Sequence, residues 1–385
     1  MTSPVMLRIT VLILFLSATN VIAGMATRSS EQDQLAAVFR NLTDRGSPGL
    51  AVLVRENGRT LLEQGYGVTD LQSRNAIDWQ TNFRLASCTK QFTAIAIMLL
   101  VHDGKLRYDE PVTDVFPEFP DYGRAITIRN LLSHTSGLPD YEALMEQNSD
   151  AHARWTENRQ IQDAEVLHLL ETQKRGKFAP GTQWSYSNSG YVLLGLVVAK
   201  VSGKPFEDFL GEQIFAPLGM SHTLAYVKGK NTVPNRAYGY SKEGNGFIET
   251  DQSPTSATLG DGGVYSNLED LAKWDDALRL HRLLSAREMQ PALTPVKLAD
   301  GSVPTWSSDP DDRNPQAGKP VSYGFGWFLD DYKGHQRMWH YGETVGFRTA
   351  IARFTDGDLT IIILCNRTDV DPERLASKVA VSIIH

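Results

Sequence analysis

Ser87 and Lys90 stand three residues apart in the stretch Arg84-Leu85-Ala86-Ser87-Cys88-Thr89-Lys90-Gln91-Phe92. A serine hydroxyl is a weak nucleophile until a neighbouring base takes its proton. A lysine pressed against apolar walls can lose its own proton and become that base. Phe92, Ile95, Ala96, Leu99 and Leu100 carry helical spacing, which predicts a helix from Ser87 to about His102, closed by Asp103-Gly104. Side chains one turn apart share a face, so the lysine would reach the serine. The serine would also sit beside unpaired N–H groups and the positive end of the helix dipole. Ser-x-x-Lys opening an apolar helix is a nucleophile-and-base signature. Taken alone, it is also what an N-cap serine and a solvated lysine would give.

Two further stretches carry chemistry. Tyr186 and Asn188, within Trp184-Ser185-Tyr186-Ser187-Asn188, precede an apolar helix over Val192 to Val201, so a loop entering a helix could turn both into a cleft. His340-Tyr341-Gly342 ends an expected strand, with Glu343 turning out of it. Gly342 would let the backbone approach a ligand, and a strand-edge N–H could donate to a developing oxyanion alongside the N–H of Ser87. His134 lies in turn chemistry, Ser133 to Asp140, and reads as stabilising that turn.

The rest of the chain must hold these stretches together. Its 385 residues are 41% hydrophobic and 22% charged, ordinary for a soluble globular protein, and a net charge of -7 gives no basic footprint for nucleic acid. Arg8, the apolar run Ile9 to Leu16 and the short residues Val21-Ile22-Ala23 read as a secretory signal over residues 1–24. The run is too short for a membrane span. A periplasmic or secreted chain without a stable span after cleavage is therefore expected, with an uncleaved anchor as the alternative. Residues 25–385 would form one catalytic unit. Cys88 and Cys365 both have apolar surroundings and read as buried thiols rather than a bridge. Without a histidine cluster at ligand spacing they make no structural zinc site, and no metal or cofactor is expected.

The positioning elements follow from periodicity and turn residues. A helix is expected over Glu31 to Arg45, then a hairpin of Leu50–Arg55 and Thr60–Tyr66 around Asn57-Gly58. Helical stretches follow near Ile128–Ser133, within 141–175 and over Phe206–Phe215. The glycine-dense segment Leu259 to Ser266 implies close backbone packing, and Asn267 caps a helix through Leu278. A surface loop over 298–320 leads to strands at Tyr323–Leu329, Arg337–Tyr341, Phe347–Phe354 and Leu359–Cys365, and a helix over Pro372–Ile384 closes the chain. Strands at both ends with helices between predict an α+β fold. It is an antiparallel sheet completed by the C-terminal hairpins, flanked by helices and packed on a helical lobe.

In their order and separations, Ser87-x-x-Lys90, Tyr186-x-Asn188 and His340-x-Gly342 resemble the motifs of the serine β-lactamase, D-alanyl-D-alanine carboxypeptidase and esterase superfamily. The likeness is greatest to the class C branch, whose middle motif is Tyr-x-Asn. Leu131 to Asp140 and Asp261 to Trp274 are similar to the family's recurrent loop and helix start, so the resemblance spans residues 30–385. It implies a β-lactamase/transpeptidase-like fold and a secreted serine hydrolase acting without a metal. Ser87 would be acylated with Lys90 as its proton partner. Tyr186 would pass a proton to the leaving group and activate water, Asn188 would hold substrate, and the N–H groups of Ser87 and Glu343 would form the oxyanion hole.

The third motif departs from the class C pattern. β-Lactamases of that branch carry Lys-Thr-Gly, whose lysine and threonine help bind the substrate carboxylate, whereas His340 and Tyr341 stand here. Esters and D-amino-acid amides or peptides are therefore the expected substrates. The alternatives are a genuine β-lactamase and a penicillin-binding sensor that acylates without turnover.

Overall fold

Leu50–Glu56 and Leu359–Cys365 are apolar at nearly every position, the pattern of strands covered on both faces. A computed structural model, which describes residues 32–40, 42, 44–147, 154–307 and 316–384, pairs these two strands antiparallel, Leu50 opposite Cys365. The expected signal segment lies outside the described residues.

The strands are β1 (Leu50–Glu56), β2 (Arg59–Tyr66), β3 (Phe83–Arg84), β4 (Leu224–Ala225), β5 (Tyr240–Glu243), β6 (Gly246–Glu249), β7 (Val264–Ser266), β8 (Phe328–Tyr332), β9 (His335–Thr344), β10 (Phe347–Phe354) and β11 (Leu359–Cys365). Six of them form one antiparallel sheet in the order β2-β1-β11-β10-β9-β8, and β3-β7-β4 form a small second one. The helices that matter below are α1 (Lys90–His102), α2 (Tyr141–Gln147), α3 (Asn188–Ser202), α4 (Leu268–Arg279) and α5 (Pro372–Ile383). The α+β architecture expected from the sequence is the one observed.

Alternation along β11 serves two cores. Ile361, Ile363 and Cys365 pack with Leu375 and Val379 of α5 on one face. Ile362 and Leu364 join the larger core of α1 and α3 on the other. Within that larger core Phe92 lies against Phe215 and Trp274, ring centroids 5.4 and 4.6 Å away. Buried aromatics of this kind each contribute about 3–5 kcal/mol by truncation. Asp275 of α4, buried beneath the sheet, takes an ion pair from Arg55 at 2.7 Å and another from Arg353, tying the helical layer to β1 and β10. Both cysteines are free and buried, as their surroundings suggested.

Several boundaries differ from expectation. The strand placed at Tyr323–Leu329 begins only at Phe328. Gly326 turns the chain at φ +82°, and a Cβ on Gly324 would collide with the Ala292 carbonyl, so the preceding residues pack as a loop. The first helix is shorter than expected, covering 32–37. β9 does not end at Tyr341; it runs on through Thr344, paired with β10. Among the described residues, no helix is long and apolar enough to cross a membrane.

Candidate active site

Ser87 does not open the α-helix itself. It sits in a 3-10 turn, Ala86–Thr89, which feeds directly into α1. The turn is held in an unfavourable conformation: Ala86 has φ +48°, a region that costs an L-residue about 1–2 kcal/mol. Two glycines flank it. A Cβ on Gly342 would fall against the Leu85 carbonyl and 3.2 Å from the Ala86 Cβ, and one on Gly262 would lie 3.8 Å from the Ala86 Cα. Strand β9 thus lies directly on the nucleophile turn, and the Cys88 thiol donates to the His340 carbonyl at 3.3 Å. The last β8 partner on β9 is Trp339, so residues 340–344 extend beyond β8 and lie over the turn.

Lys90 is fully buried, yet its Nζ has three hydrogen-bond partners: Ser87 Oγ at 3.1 Å, Asn188 Oδ1 at 2.9 Å and the Asp261 carbonyl at 3.0 Å. Two of the three can only accept. They occupy two amine hydrogens, so a neutral Lys90 is left with its lone pair facing the Ser87 hydroxyl. Burial brings the Lys90 pKa down to about 8, with Asp261 and Glu142 opposing the fall. Threonines on either side pin α1 to the same glycine turn: Thr89 Oγ1 accepts from the Val264 N–H at 3.1 Å, and Thr93 Oγ1 donates to the Gly260 carbonyl at 2.6 Å.

Tyr186 and Asn188 arrive from the α3 side. Ser187 is the N-cap, its side chain accepting from the Gly190 N–H, so Asn188 is the first helical residue and Tyr186 lies on the entering loop. Lys90 Nζ lies 4.9 Å from the Tyr186 ring centroid. Burial pushes the Tyr186 phenol well above its usual pKa, with a hydrogen bond to Ser87 pulling the other way. Tyr186 is therefore a neutral phenol suited to relaying a proton. Asn188, expected to hold substrate, has its amide oxygen committed to Lys90.

The two histidines stand behind the phenol. His134, at φ +60°, accepts from the Ser187 N–H through Nδ1 at 3.1 Å and so orients the Tyr186 loop, its ring centroid 4.4 Å from that of Tyr186. His134 thus ties its turn to the Tyr186 loop rather than only stabilising the turn its sequence context suggested. His340 is buried, and its Nδ1 donates to the Tyr341 carbonyl at 2.6 Å. Burial, reinforced by the nearby Lys90 charge, drops its pKa to about 3, so the ring is neutral. Tyr341 follows on β9, close enough to the Tyr186 phenol to act on its charge. Its ring stacks along Trp339 and Phe328 at 5.9 and 6.3 Å, partly exposed, and Glu343 and Glu373 raise its pKa after burial. Glu343 is exposed and paired with Arg348 at 2.7 Å.

Two cavities of about 580 Å³ flank this centre and share Glu142 and Glu146 of α2. One is bordered by Tyr186, Trp184 and Trp306, the other by Glu343, Arg348 and Trp155. Among the described residues, no His, Cys, Asp and Glu cluster could hold a metal ion. Sequence reasoning brought together Ser87, Lys90, Tyr186, Asn188, His340 and Gly342. Asp261 entered that reading only within the glycine-dense segment and as the start of the family-like stretch to Trp274, with no role assigned to it.

A serine, a buried lysine and a neutral phenol meeting beside an antiparallel sheet strand are the arrangement of a serine hydrolase of the β-lactamase-like class. The family model for Beta-lactamase matches residues 35–382, and the chain belongs to that family. It is 31% identical over 370 residues to penicillin-binding protein 4* of Bacillus subtilis, covering 93% of this chain and 77% of that one. It is 27% identical to a D-aminopeptidase of Cereibacter sphaeroides, covering 89% of this chain and about three-fifths (61%) of that protein. The structure of a D-amino acid amidase from Ochrobactrum anthropi SV3 complexed with L-phenylalanine amide superposes with a TM-score of 0.72 at 27% identity, covering 92% of this chain and 98% of the other.

Proposed function

We propose that this protein is an exported hydrolase of esters or D-amino-acid amides and peptides, working through an acyl-enzyme on Ser87. The observation that carries the reading is the Lys90 amine, two of whose partners accept only while the third is the Ser87 hydroxyl. In acylation the Ser87 Oγ–H proton passes to Lys90 as the Oγ–carbonyl bond forms. Tyr186 then hands a proton to the leaving group as its bond to the carbonyl breaks, and the lysine proton replenishes the phenol. Water repeats the sequence in reverse to release the acid. The N–H groups of Ser87 and Glu343 would take the oxyanion, consistent with β9 lying on the nucleophile turn.

The substrate class is read from the third motif. Tyr341 offers no short hydroxyl at the position of the family's threonine, and Glu343 and Glu373 lie near its ring. A substrate carboxylate is disfavoured there. The D-aminopeptidase and the D-amino acid amidase among the similar proteins support amides as a second substrate type. A fluorophosphonate should label one residue, found at Ser87 by peptide mapping, and Ser87→Ala should lose both label and turnover of p-nitrophenyl esters and D-amino-acid amides. Labelling elsewhere, or activity surviving in Ser87→Ala, overturns the assignment. A stable penicillin adduct without turnover of any substrate would make the protein a sensor instead.

A further inference from the structure

We propose that Asp261 is a positioning residue for the catalytic lysine: its main-chain carbonyl holds one amine hydrogen, and its buried carboxylate supplies the charge against which Lys90 keeps or releases its third proton. The inference rests on the reading of Lys90 as the base for Ser87.

The turn that carries Asp261 is rigid. A Cβ on Gly260 would collide with the Tyr191 carbonyl and lie 3.1 Å from the Gly195 nitrogen, so the turn is seated against α3. Thr89, Lys90 and Thr93 of the nucleophile segment all bond to it. The Asp261 carbonyl is therefore fixed 3.0 Å from Nζ.

The carboxylate on the same residue is the unusual part. Asp261 is 6% exposed; Oδ2 accepts from the Tyr141 hydroxyl at 3.3 Å, and Oδ1 has no hydrogen-bond partner among the described residues. A buried carboxylate with one neutral donor and no ion pair is costly unless a nearby cation compensates. Lys90, held 3.0 Å from the same residue's main-chain carbonyl, is a cation whose charged form Asp261 favours.

Other groups face Lys90 from every side. Cys88 lies on its own turn, Tyr186 and Tyr191 come from the α3 side, His134 from the loop behind, and His340 from β9. Burial holds the histidines neutral and the thiol and phenols protonated. Asp140 and Glu142 approach from the start of α2. Glu142 is pushed up to about 7, first by burial and then by Asp140 and Asp261, so it also titrates near neutrality.

The test uses the full-length protein and the rate at which a fluorophosphonate acylates Ser87 as pH is varied. Asp261→Asn keeps the main-chain carbonyl and removes the charge. The ammonium is then less favoured, so the acid limb of the rate profile should move down by about 1 pH unit. The position of the limb, not the height of the plateau, is the readout. Asp261→Glu should return the limb toward its original position. Glu142→Gln is the control for the neighbouring titration, and the shift caused by Asp261→Asn should persist in its background. Asp261→Ser carries the same expectation should the asparagine variant fail to fold. A lowered plateau with an unmoved limb would make Asp261 a structural residue only and overturn the proposal. Absence of labelling in the unmodified protein would instead overturn the reading of Ser87 and Lys90 on which it stands.

Discussion

Gly342 meets Leu85 backbone to backbone: any Cβ on the glycine would lie inside the van der Waals shell of the Leu85 carbonyl oxygen. That contact fixes the distance between β9 and the turn carrying Ser87. Gly342→Ala must push the two apart, and a misplacement of about 1 Å costs on the order of a hundredfold in rate. We expect kcat/KM to fall by at least that factor while circular dichroism remains that of a folded protein. Full activity in this variant would show that the contact does not set the catalytic geometry.

Lys90 and Tyr186 should behave as one unit. Lys90→Ala and Tyr186→Phe should each reduce kcat by about 10³-fold or more, and the double variant little further. Losses that multiply would mean that the two residues act independently.

Lys90 must be unprotonated to accept the serine proton. Acylation should therefore rise with pH through about 8 and be lost as pH falls below it. A rate profile flat between pH 6 and 9, expected of a base with an ordinary carboxylate pKa of about 4, would contradict this.

Tyr341→Thr tests the substrate reading. An anion short of one charge-assisted hydrogen bond is disfavoured by about 1.5–3 kcal/mol, roughly ten- to a hundredfold. The unmodified protein should prefer p-nitrophenyl acetate or butyrate over cephalosporins and D-alanyl-D-alanine peptides in kcat/KM, and the threonine variant should narrow that gap. Efficient cephalosporin hydrolysis with poor ester turnover would refute it.

Asp163 predicts a pH-dependent stability. Its Oδ1 accepts from the Leu259 N–H at 3.0 Å, and burial together with the Asp261 charge pushes its pKa up to about 8. Unfolded, it titrates near 4. The folded state thus binds the extra proton between those values, and its contribution to stability is present at low pH and lost as pH rises toward 8. Asp163→Asn keeps the acceptor and removes the titration. Its Tm should gain on the parent by about 2 °C or more between pH 5 and pH 8. Parallel Tm curves for the two proteins would show that Asp163 does not titrate in this range.

What could be read from the sequence was local. Ser87 reaches Lys90 across one turn, so spacing was enough there, whereas α3 starts at Asn188 under a Ser187 cap, four residues before the expected Val192. The limits of β10 and β11 were legible because the polar turn Thr355 to Asp358 separates two covered strands. The role of Asp261 was hidden because its partners come from α1 and Tyr141, which meet it only after the glycine turn docks. The end of β9 was hidden for a related reason: Gly342 packs through its backbone, and hydropathy does not register a residue without a side chain. Tyr323–Phe325 resembled a strand because it is apolar, yet Gly324 and the following Gly326 serve a loop.

The pairing of β1 with β11 has a consequence for when the enzyme comes to life. The earliest strand of the sheet finds its neighbour some three hundred residues later, Leu50 against Cys365, and the strand that seats the nucleophile turn comes just before that late partner. Contacts this distant in the chain form late, after the loop-closure cost has been met. Until then Ser87 is an ordinary alcohol and Lys90 an ordinary solvated ammonium ion. A growing chain therefore carries no reactive centre that could acylate its surroundings, and reactivity switches on in the same cooperative event that completes the sheet.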